Sequence, residues 1–330
     1  MSKKSYRRAR LTVLLCLIAA LAFSVFRFAG SALYFEDVSK TDTNILLLCL
    51  DDTGFNTDAM AIINFPKETG DITVLQIPRD TFADTGEKNC KINRLYYRFF
   101  EATKNEKSAL RELSAFLSHH LDIPINHAVL LTLDDVALLV DAVGGVDVEI
   151  PTNLFYSDPS QDLLIDFKKG KQHLSGEEAV RFARYRSGYV NGDLGRLDAQ
   201  KLLSLSLIEQ VRSGFSLGVA AKIAAVLTKN TTTTLSLRDM LSLGFSLREK
   251  GNGINFRIFT APGEAVRYYG DTGVWYFSLN KHAMTRAARK YFAGKGTDFD
   301  PENIFLGKTP SMQNVYFDKT IELKEFSAYP

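Results

Sequence analysis

The stretch Asn44-Ile-Leu-Leu-Leu-Cys-Leu50, closed by Asp51-Asp52, decides the fold. A run that is apolar at consecutive positions reads as a strand buried on both faces, the pattern of α/β sheets. Open α/β sheets place their ligands at the carboxyl ends of such strands, so Asp51 stands at a candidate site. Working outward, the loop Thr53–Thr57 leads to Asp58. Ala59–Phe65 and Ile72–Ile77 then read as two more apolar strands, joined through the hairpin-like turn Pro66-Lys-Glu-Thr-Gly70. The second of these runs into Pro78-Arg79-Asp80, and Lys91-Ile-Asn93-Arg94 follows before helical stretches near 95–102 and 107–120. Residues 127–132 read as a strand. Residues 133–143 read as a helix stopped by Gly144-Gly145, and 146–150 as a strand ended by Pro151. Residues 152–173 read as an irregular insertion. Ser175 starts a helix with Glu177 and Glu178 in its first turn. Further helices are expected near 217–227 and 235–247, a strand at 254–260 and a helix at 280–292. Residues 295–330 form a weakly patterned tail. Strands alternating with helices make the fold class α/β.

The densest chemistry lies at Arg181-Phe-Ala-Arg184-Tyr-Arg186-Ser-Gly-Tyr-Val-Asn-Gly-Asp193-Leu-Gly-Arg196-Leu-Asp198-Ala-Gln200. Val180, Phe182 and Tyr185 are good strand formers, so 180–186 is expected to be a β-strand with Arg184 and Arg186 on one side. A turn at Ser187–Gly192 is expected to lead into a helix running from Asp193 to about Arg212. Arg196 and Gln200 then sit one turn apart on one flank. Leucines and isoleucines surround much of that helix, which marks it as buried. A strand end, a loop and a helix start together favour negative charge, and arginine grips phosphate with paired hydrogen bonds. A solvated charged face competes with this reading for any one arginine taken alone.

The chain has 330 residues, of which 45% are hydrophobic and 24% charged, an ordinary globular balance. Its N-terminus differs. Lys3, Lys4, Arg7, Arg8 and Arg10 (a cytoplasmic flank, 1–10) precede an apolar stretch, 11–35, broken only by Arg27. A bilayer takes about 20 apolar residues. Residues 11–35 therefore read as one transmembrane signal-anchor with Arg27 at the outer interface, and the basic flank keeps the N-terminus inside. A cleaved signal peptide competes with the anchor, and either places the rest of the chain outside the cytoplasm. The expected location is the cell membrane, single-pass, with residues 36–295 as an extracytoplasmic catalytic domain and 296–330 as a C-terminal tail. Six basic residues and no acidic ones lie before Ser31. The remainder carries 34 basic against 38 acidic residues, a net charge of −4, which argues against nucleic acid as a partner. Three cysteines exclude a disulfide framework and leave room for one Cys49–Cys90 bridge.

Separated pieces converge on one chemistry. Asp51 ends one strand, Asp58 starts the next, and Arg79 and Asp80 end a third. Arg184, Arg186, Asp193, Arg196 and Gln200 supply the loop and helix. Paired aspartates suit Mg²⁺, and metal with arginines neutralises the charge on phosphate oxygens. A further carboxylate can take the proton of an attacking hydroxyl.

In this order, Asn44-Ile-Leu-Leu-Leu with Asp51, Thr57-Asp58, Ile77-Pro-Arg79-Asp80, Lys91-Ile-Asn93, Leu139-Val-Asp-Ala-Val-Gly-Gly-Val-Asp147, Leu174-Ser-Gly-Glu-Glu-Ala179, Arg184-Tyr-Arg186, Asp193-Leu-Gly-Arg196 and Gln200 resemble the LytR-CpsA-Psr (LCP) proteins of bacterial cell envelopes. The resemblance implies a central mixed β-sheet flanked by helices, preceded by one N-terminal transmembrane helix. It implies a phosphotransferase that moves an anionic glycopolymer, of teichoic acid or capsular polysaccharide type, from a polyprenyl-pyrophosphate carrier to peptidoglycan. Asp51 and Asp58 would hold Mg²⁺, and Arg79, Arg184, Arg186 and Arg196 the pyrophosphate oxygens. Asp80 and Asp193 would orient arginines, or one of them would act as base. Lys91, Asn93 and Gln200 would line the substrate. The chain departs from the family pattern at Thr53, Asn56 and Ala199, where arginines are usual, and at Cys49-Leu50, where small residues are usual. Those losses keep two other readings alive: a polyprenyl-pyrophosphate pyrophosphatase, and a non-catalytic exported binder of lipid or glycopolymer.

Overall fold

The computed structural model describes residues 42–51, 53–66, 71–83, 90–159, 163–185, 193–214, 218–219, 222–223, 225–226, 231–236, 239, 255–267, 274–292 and 321–322. The expected membrane segment, the turn at 187–192, Arg186 and most of the two helices expected at 217–247 lie outside the described residues. In chain order the strands are β1 (Thr43–Leu50), β2 (Thr57–Phe65), β3 (Ile72–Ile77), β4 (Phe82–Ala83) and β5 (Cys90–Lys91). A 3₁₀ turn, Ile92–Arg94, opens α1 (Leu95–Thr103), and α2 (Glu106–Leu121), β6 (His127–Leu131), α3 (Leu133–Ala142) and β7 (Val146–Ile150) follow. Then come β8 (Leu154–Asp158), β9 (Leu163–Phe167), β10 (Gly170–Leu174), α4 (Gly176–Arg184) and α5 (Asp193–Gly214). The chain continues with β11 (Thr232–Thr233), β12 (Phe256–Thr260), β13 (Gly263–Arg267), β14 (Trp275–Leu279), α6 (Lys281–Tyr291) and β15 (Ile321–Glu322).

Seven strands form the central sheet in the order β11-β6-β1-β2-β3-β12-β15. The sheet is mixed. β1 runs antiparallel to β2 and parallel to β6, and β3 runs antiparallel to β2 and parallel to β12. The carboxyl ends of β1, β3, β6 and β12 therefore share one edge with the start of β2. β1 is buried along its length as its apolar run requires, and its alternate residues feed two separate cores. Ile45, Leu47 and Cys49 join the core made with α3, α4 and α5, and Leu46 and Leu48 join the one made with α1, α2 and α6. The tail expected at 295–330 contributes at Ile321–Glu322, which pair with β12. Cys49 and Cys90 carry thiols rather than a disulfide. They sit on opposite sides of the sheet, Cys49 in one core and Cys90 against the other, which leaves no route for a bridge.

Two expectations are corrected. Residues 152–173 are not irregular: β8 pairs with β9 as a hairpin, and β10 pairs with β7. Leu163, Ile165 and Phe167 are buried between exposed neighbours, the period of two that marks a half-buried strand. Residues 180–184 are the end of α4 and not a strand. Ser175 and Glu178 close a reciprocal capping box at its start. Ala179, Val180, Phe182 and Ala183 then bury one helical stripe, and tertiary burial overrides the strand preference of Val180 and Phe182. The start is seated tightly: a β-carbon at Gly176 would collide with the Ala137 carbonyl of α3, and the Gly176 N–H donates to Asp141 Oδ1 at 2.7 Å.

Candidate functional site

The shared carboxyl edge holds the first group of expected residues. Asp51 follows β1 and is 6% exposed. Its Oδ1 accepts from the backbone N–H groups of Thr53, Phe55 and Asn56 and from the Thr53 hydroxyl at 2.6 Å, and its Oδ2 accepts from Asn56 Nδ2 at 2.9 Å. The carboxylate thus folds the 51–56 loop around itself, a local turn chemistry typical of aspartate. Phe55 projects from that loop half exposed, with its ring edge-on to Tyr97 at 4.6 Å between centroids.

Asp58 lies in a β-bulge. Cys49 pairs with Ala59 and Leu50 with Thr57, so Asp58 is the extra residue between them. Bulges re-aim a side chain and recur beside active sites. Here Asp58 Oδ1 meets Arg79 Nη1 at 3.0 Å, and both side chains are largely buried. Arg79 reaches it from the end of β3, where Pro78 closes the strand. The backbone around this pair is knitted to the 3₁₀ turn: the Asn93 N–H donates to the Arg79 carbonyl at 3.3 Å, and the Thr57 hydroxyl to the Asn93 carbonyl at 3.4 Å. Asp80 pairs with Lys91 Nζ at 2.9 Å, and Lys91 also lies 5.9 Å from the Tyr276 ring centroid. The structure therefore brings Asp51, Asp58, Arg79, Asp80, Lys91 and Asn93 to one edge.

The second group is carried by α4 and α5. Arg184 is in the last turn of α4, not on a strand, so the expected alternation with Arg186 does not apply. Arg196 and Gln200 lie one turn apart on α5 as expected, and both are buried, at 3% and 1% exposed. Gln200 Nε2 donates to the Ala183 carbonyl at 3.3 Å, which ties α5 to the turn that bears Arg184. Asp193 is the first residue of α5. Next to Gln200, Lys201 is completely buried and pairs with Asp198 at 3.0 Å. Burial pushes the Lys201 ammonium below its ordinary pKa, and Asp198 partly opposes the shift. Leucines and buried polar groups surround α5, which packs against β7 and β12 and so lies over the sheet face beside β3.

The residues fit Mg²⁺ only in a modified way. An ionised carboxylate offers about four lone-pair sites. Four of the five donors to Asp51 converge on Oδ1 and one reaches Oδ2, so a metal contact from Asp51 would run through Oδ2. Among the described residues no cluster of three acidic, histidine or cysteine side chains suits a metal. The donor set is Asp58 and Asp51 Oδ2 with oxygens brought by a substrate, since Mg²⁺ commonly takes one or two carboxylates plus substrate phosphates.

Sequence reasoning passed over three residues. Thr53 and Asn56 stood out only as missing arginines, yet both ligate Asp51; the short polar spacing after an aspartate was the available signal. Gln76 on β3 was read only as part of an apolar strand, yet it is a fully buried carboxamide.

The comparisons follow this geometry. Over 217 residues the chain is 30% identical to the polyisoprenyl-teichoic acid–peptidoglycan teichoic acid transferase TagV of Bacillus subtilis, covering 63% of this chain and 53% of that one. It thus spans about half the length of that relative. It is 29% identical over 253 residues to the transferase TagU of Bacillus cereus, covering 73% of this chain and 76% of that one. The crystal structure of B. subtilis TagV superposes with a TM-score of 0.60 at 25% identity, covering 76% of this chain and 96% of the other. The LytR_cpsA_psr family model matches residues 29–292, most of the chain, and the chain therefore belongs to the LytR_cpsA_psr family.

Proposed function

We propose that the protein is a membrane-anchored phosphotransferase that moves an anionic glycopolymer from a polyprenyl-pyrophosphate carrier to peptidoglycan. The observation that carries the reading is the buried Arg79–Asp58 pair at the carboxyl edge of the sheet, beside a helix that buries Arg196 and Gln200. The names of the relatives, which are teichoic acid transferases, support the substrate class.

In this reading Arg79, Arg184, Arg186 and Arg196 hold the pyrophosphate oxygens. A peptidoglycan hydroxyl attacks the phosphorus that bears the sugar. A new P–O bond forms, the P–O–P bond breaks, and polyprenyl phosphate leaves. The hydroxyl proton passes to a carboxylate. Asp80 is held by Lys91 and serves best to orient that cation, which moves the base role toward Asp193. Mg²⁺, when bound, neutralises charge on the phosphate oxygens, and Asp58 with Asp51 through Oδ2 would hold it. Lys91, Asn93 and Gln200 line the substrate. Residues 11–35 serve as the anchor, 36–295 as the extracytoplasmic unit and 296–330 as its tail. No helix among the described residues is long and apolar enough to cross a membrane, so the anchor rests on the sequence.

Replacing Arg79 with alanine removes at least one charge-assisted contact, worth about 1.5–3 kcal/mol. Transfer from a lipid-linked donor to peptidoglycan fragments should therefore fall about 10- to 100-fold, since about 1.4 kcal/mol is tenfold. Unchanged turnover in a folded Arg79→Ala protein would reject the site. The use of Thr53 and Asn56 to hold Asp51 favours one rival, a binder that does not turn over. Tight donor binding with no product under any acceptor would establish that rival instead.

A further inference from the structure

On the sheet face that carries α3, α4 and α5, side chains shrink and turn polar toward the carboxyl edge. The register arranges them in rows. Ile63, Val74 and Ile258 stand side by side across β2, β3 and β12. One row nearer the edge stand Ala61, Gln76 and Thr260. Nearest the edge, Cys49 pairs with Ala59. Strand alternation puts Gln76 on the same face as Val74, which belongs to that core.

Gln76 is 0% exposed, and neither Nε2 nor Oε1 has a hydrogen-bond partner. A carboxamide offers two donors and an acceptor, and native interiors nearly always satisfy them. An exception calls for a ligand or an ordered water. The two carboxamides expected to line the substrate each leave a buried oxygen without a partner, Asn93 Oδ1 and Gln200 Oε1. The backbone at Gln76 is fixed, because its carbonyl accepts from the Ala261 N–H at 2.8 Å. It precedes Arg79 by three residues, and its neighbour across the β2 pairing is the small Ala61.

We propose that Gln76 reads the sugar attached to the donor's pyrophosphate. The inference rests on the transferase reading and deepens it. A phosphate group presents acceptors only, so it satisfies Nε2 and leaves Oε1 bare. A glycosyl pyrophosphate brings both partners: a phosphate oxygen for Nε2, and a sugar hydroxyl or acetamido N–H for Oε1. A site that buries such a group rejects an analogue lacking its partner far more strongly than an apolar pocket does.

The test compares two ligands on the full-length protein in detergent: a polyprenyl pyrophosphate, and the same lipid carrying one N-acetylhexosamine. Wild type should bind the glycosylated lipid at least tenfold tighter. Gln76→Leu, close to isosteric, should lose that preference by weakening the glycosylated ligand tenfold or more and the bare one less than twofold. Its melting temperature should stay level or rise, because the unpartnered amide is gone. Gln76→Met provides a second variant should leucine fold poorly. A variant that keeps the preference, or a wild type that has none, overturns the proposal. So does a lower melting temperature with equal weakening of both ligands, the signature of a structural water. Arg79→Ala separates the two levels: it should weaken both ligands, and if it weakens neither, the phosphate site itself falls rather than the role of Gln76.

Discussion

Asp51 uses its carboxylate on its own loop. Five donors from Thr53, Phe55 and Asn56 converge on it, four of them on Oδ1, so that oxygen shapes the loop while Oδ2 faces the site's chemistry with one of the five. The position of Asp51 at a strand end was legible from the apolar run before it. Its partners were not, because a threonine and an asparagine look like losses where arginines are expected, and only geometry shows them as ligands. Asp51→Ala should destabilise the protein by about 2–4 kcal/mol, since hydrogen bonds to a charged group contribute about 1.5–3 kcal/mol each and are not additive. Asp51→Asn keeps an acceptor and should retain more of the stability. With Oδ2 on the metal, the Mg²⁺ concentration giving half-maximal transfer should rise in Asp51→Asn relative to wild type. An unchanged value would confine Asp51 to holding its loop.

At the scale of elements, α4 shows how burial and capping outweigh propensity. Val180, Phe182 and Tyr185 suggest a strand, but Ser175 and Glu178 fix a helix start and a helical stripe faces the core. The capping pattern was visible in the sequence; the length of the helix was not, because it depends on α3 lying alongside. Ser175→Ala should cost about 1 kcal/mol. Gly176→Ala should cost more, because its β-carbon meets the Ala137 carbonyl, and it should also move Arg184 and reduce transfer. Chemical denaturation of the two variants checks the order; Gly176→Ala at or below the cost of Ser175→Ala would show that α3 yields easily. The neighbouring β7–β10 strand pair offers a pH signature. His173 Nδ1 lies 2.7 Å from Asp147 Oδ1 and Nε2 3.0 Å from the Gly144 carbonyl, a geometry that both ring nitrogens satisfy only as donors. Hydrogen bonding to Asp147 raises the imidazole above its ordinary pKa, and hydrogen bonding to His173 first, then Lys171, lowers Asp147 below the usual carboxylate range. The histidine's contribution is present below its ordinary pKa and is lost as pH rises through the raised value. The aspartate's is present above its ordinary pKa and is lost as pH falls through the lowered value. The pair is thus strongest in weak acid, and its exposure keeps the effect small. Melting temperature against pH should show a shallow decline in wild type above the imidazole range that His173→Gln lacks; parallel curves would rule out the clasp.

Across the whole molecule, the sheet separates two cores that do different work. The apolar runs made a sheet of buried strands legible, and the order of the charged motifs made the edge residues legible. Register and facing were not, since they arise from the bulge at Asp58 and from which helices cover each side. That partition makes a matched pair of mutations informative. Leu46 and Leu47 are adjacent, chemically identical and both buried, but Leu46 feeds the core with α1, α2 and α6, and Leu47 the core with α3, α4 and α5. Either leucine replaced by alanine should destabilise the protein by about 2–5 kcal/mol through lost burial and a cavity. Only the second cavity opens toward the row of Ala61 and Gln76, because Leu47 pairs with Ala61 and Ala61 with Gln76. Leu47→Ala should therefore raise the KM for the lipid-linked donor several-fold with kcat less affected, and Leu46→Ala should leave KM near wild type at the same loss of stability. Using stability-matched conditions removes partial unfolding as a cause. If both variants shift KM alike, the donor does not lie on the α5 side of the sheet, and the apolar-to-polar gradient leading to the edge is packing alone.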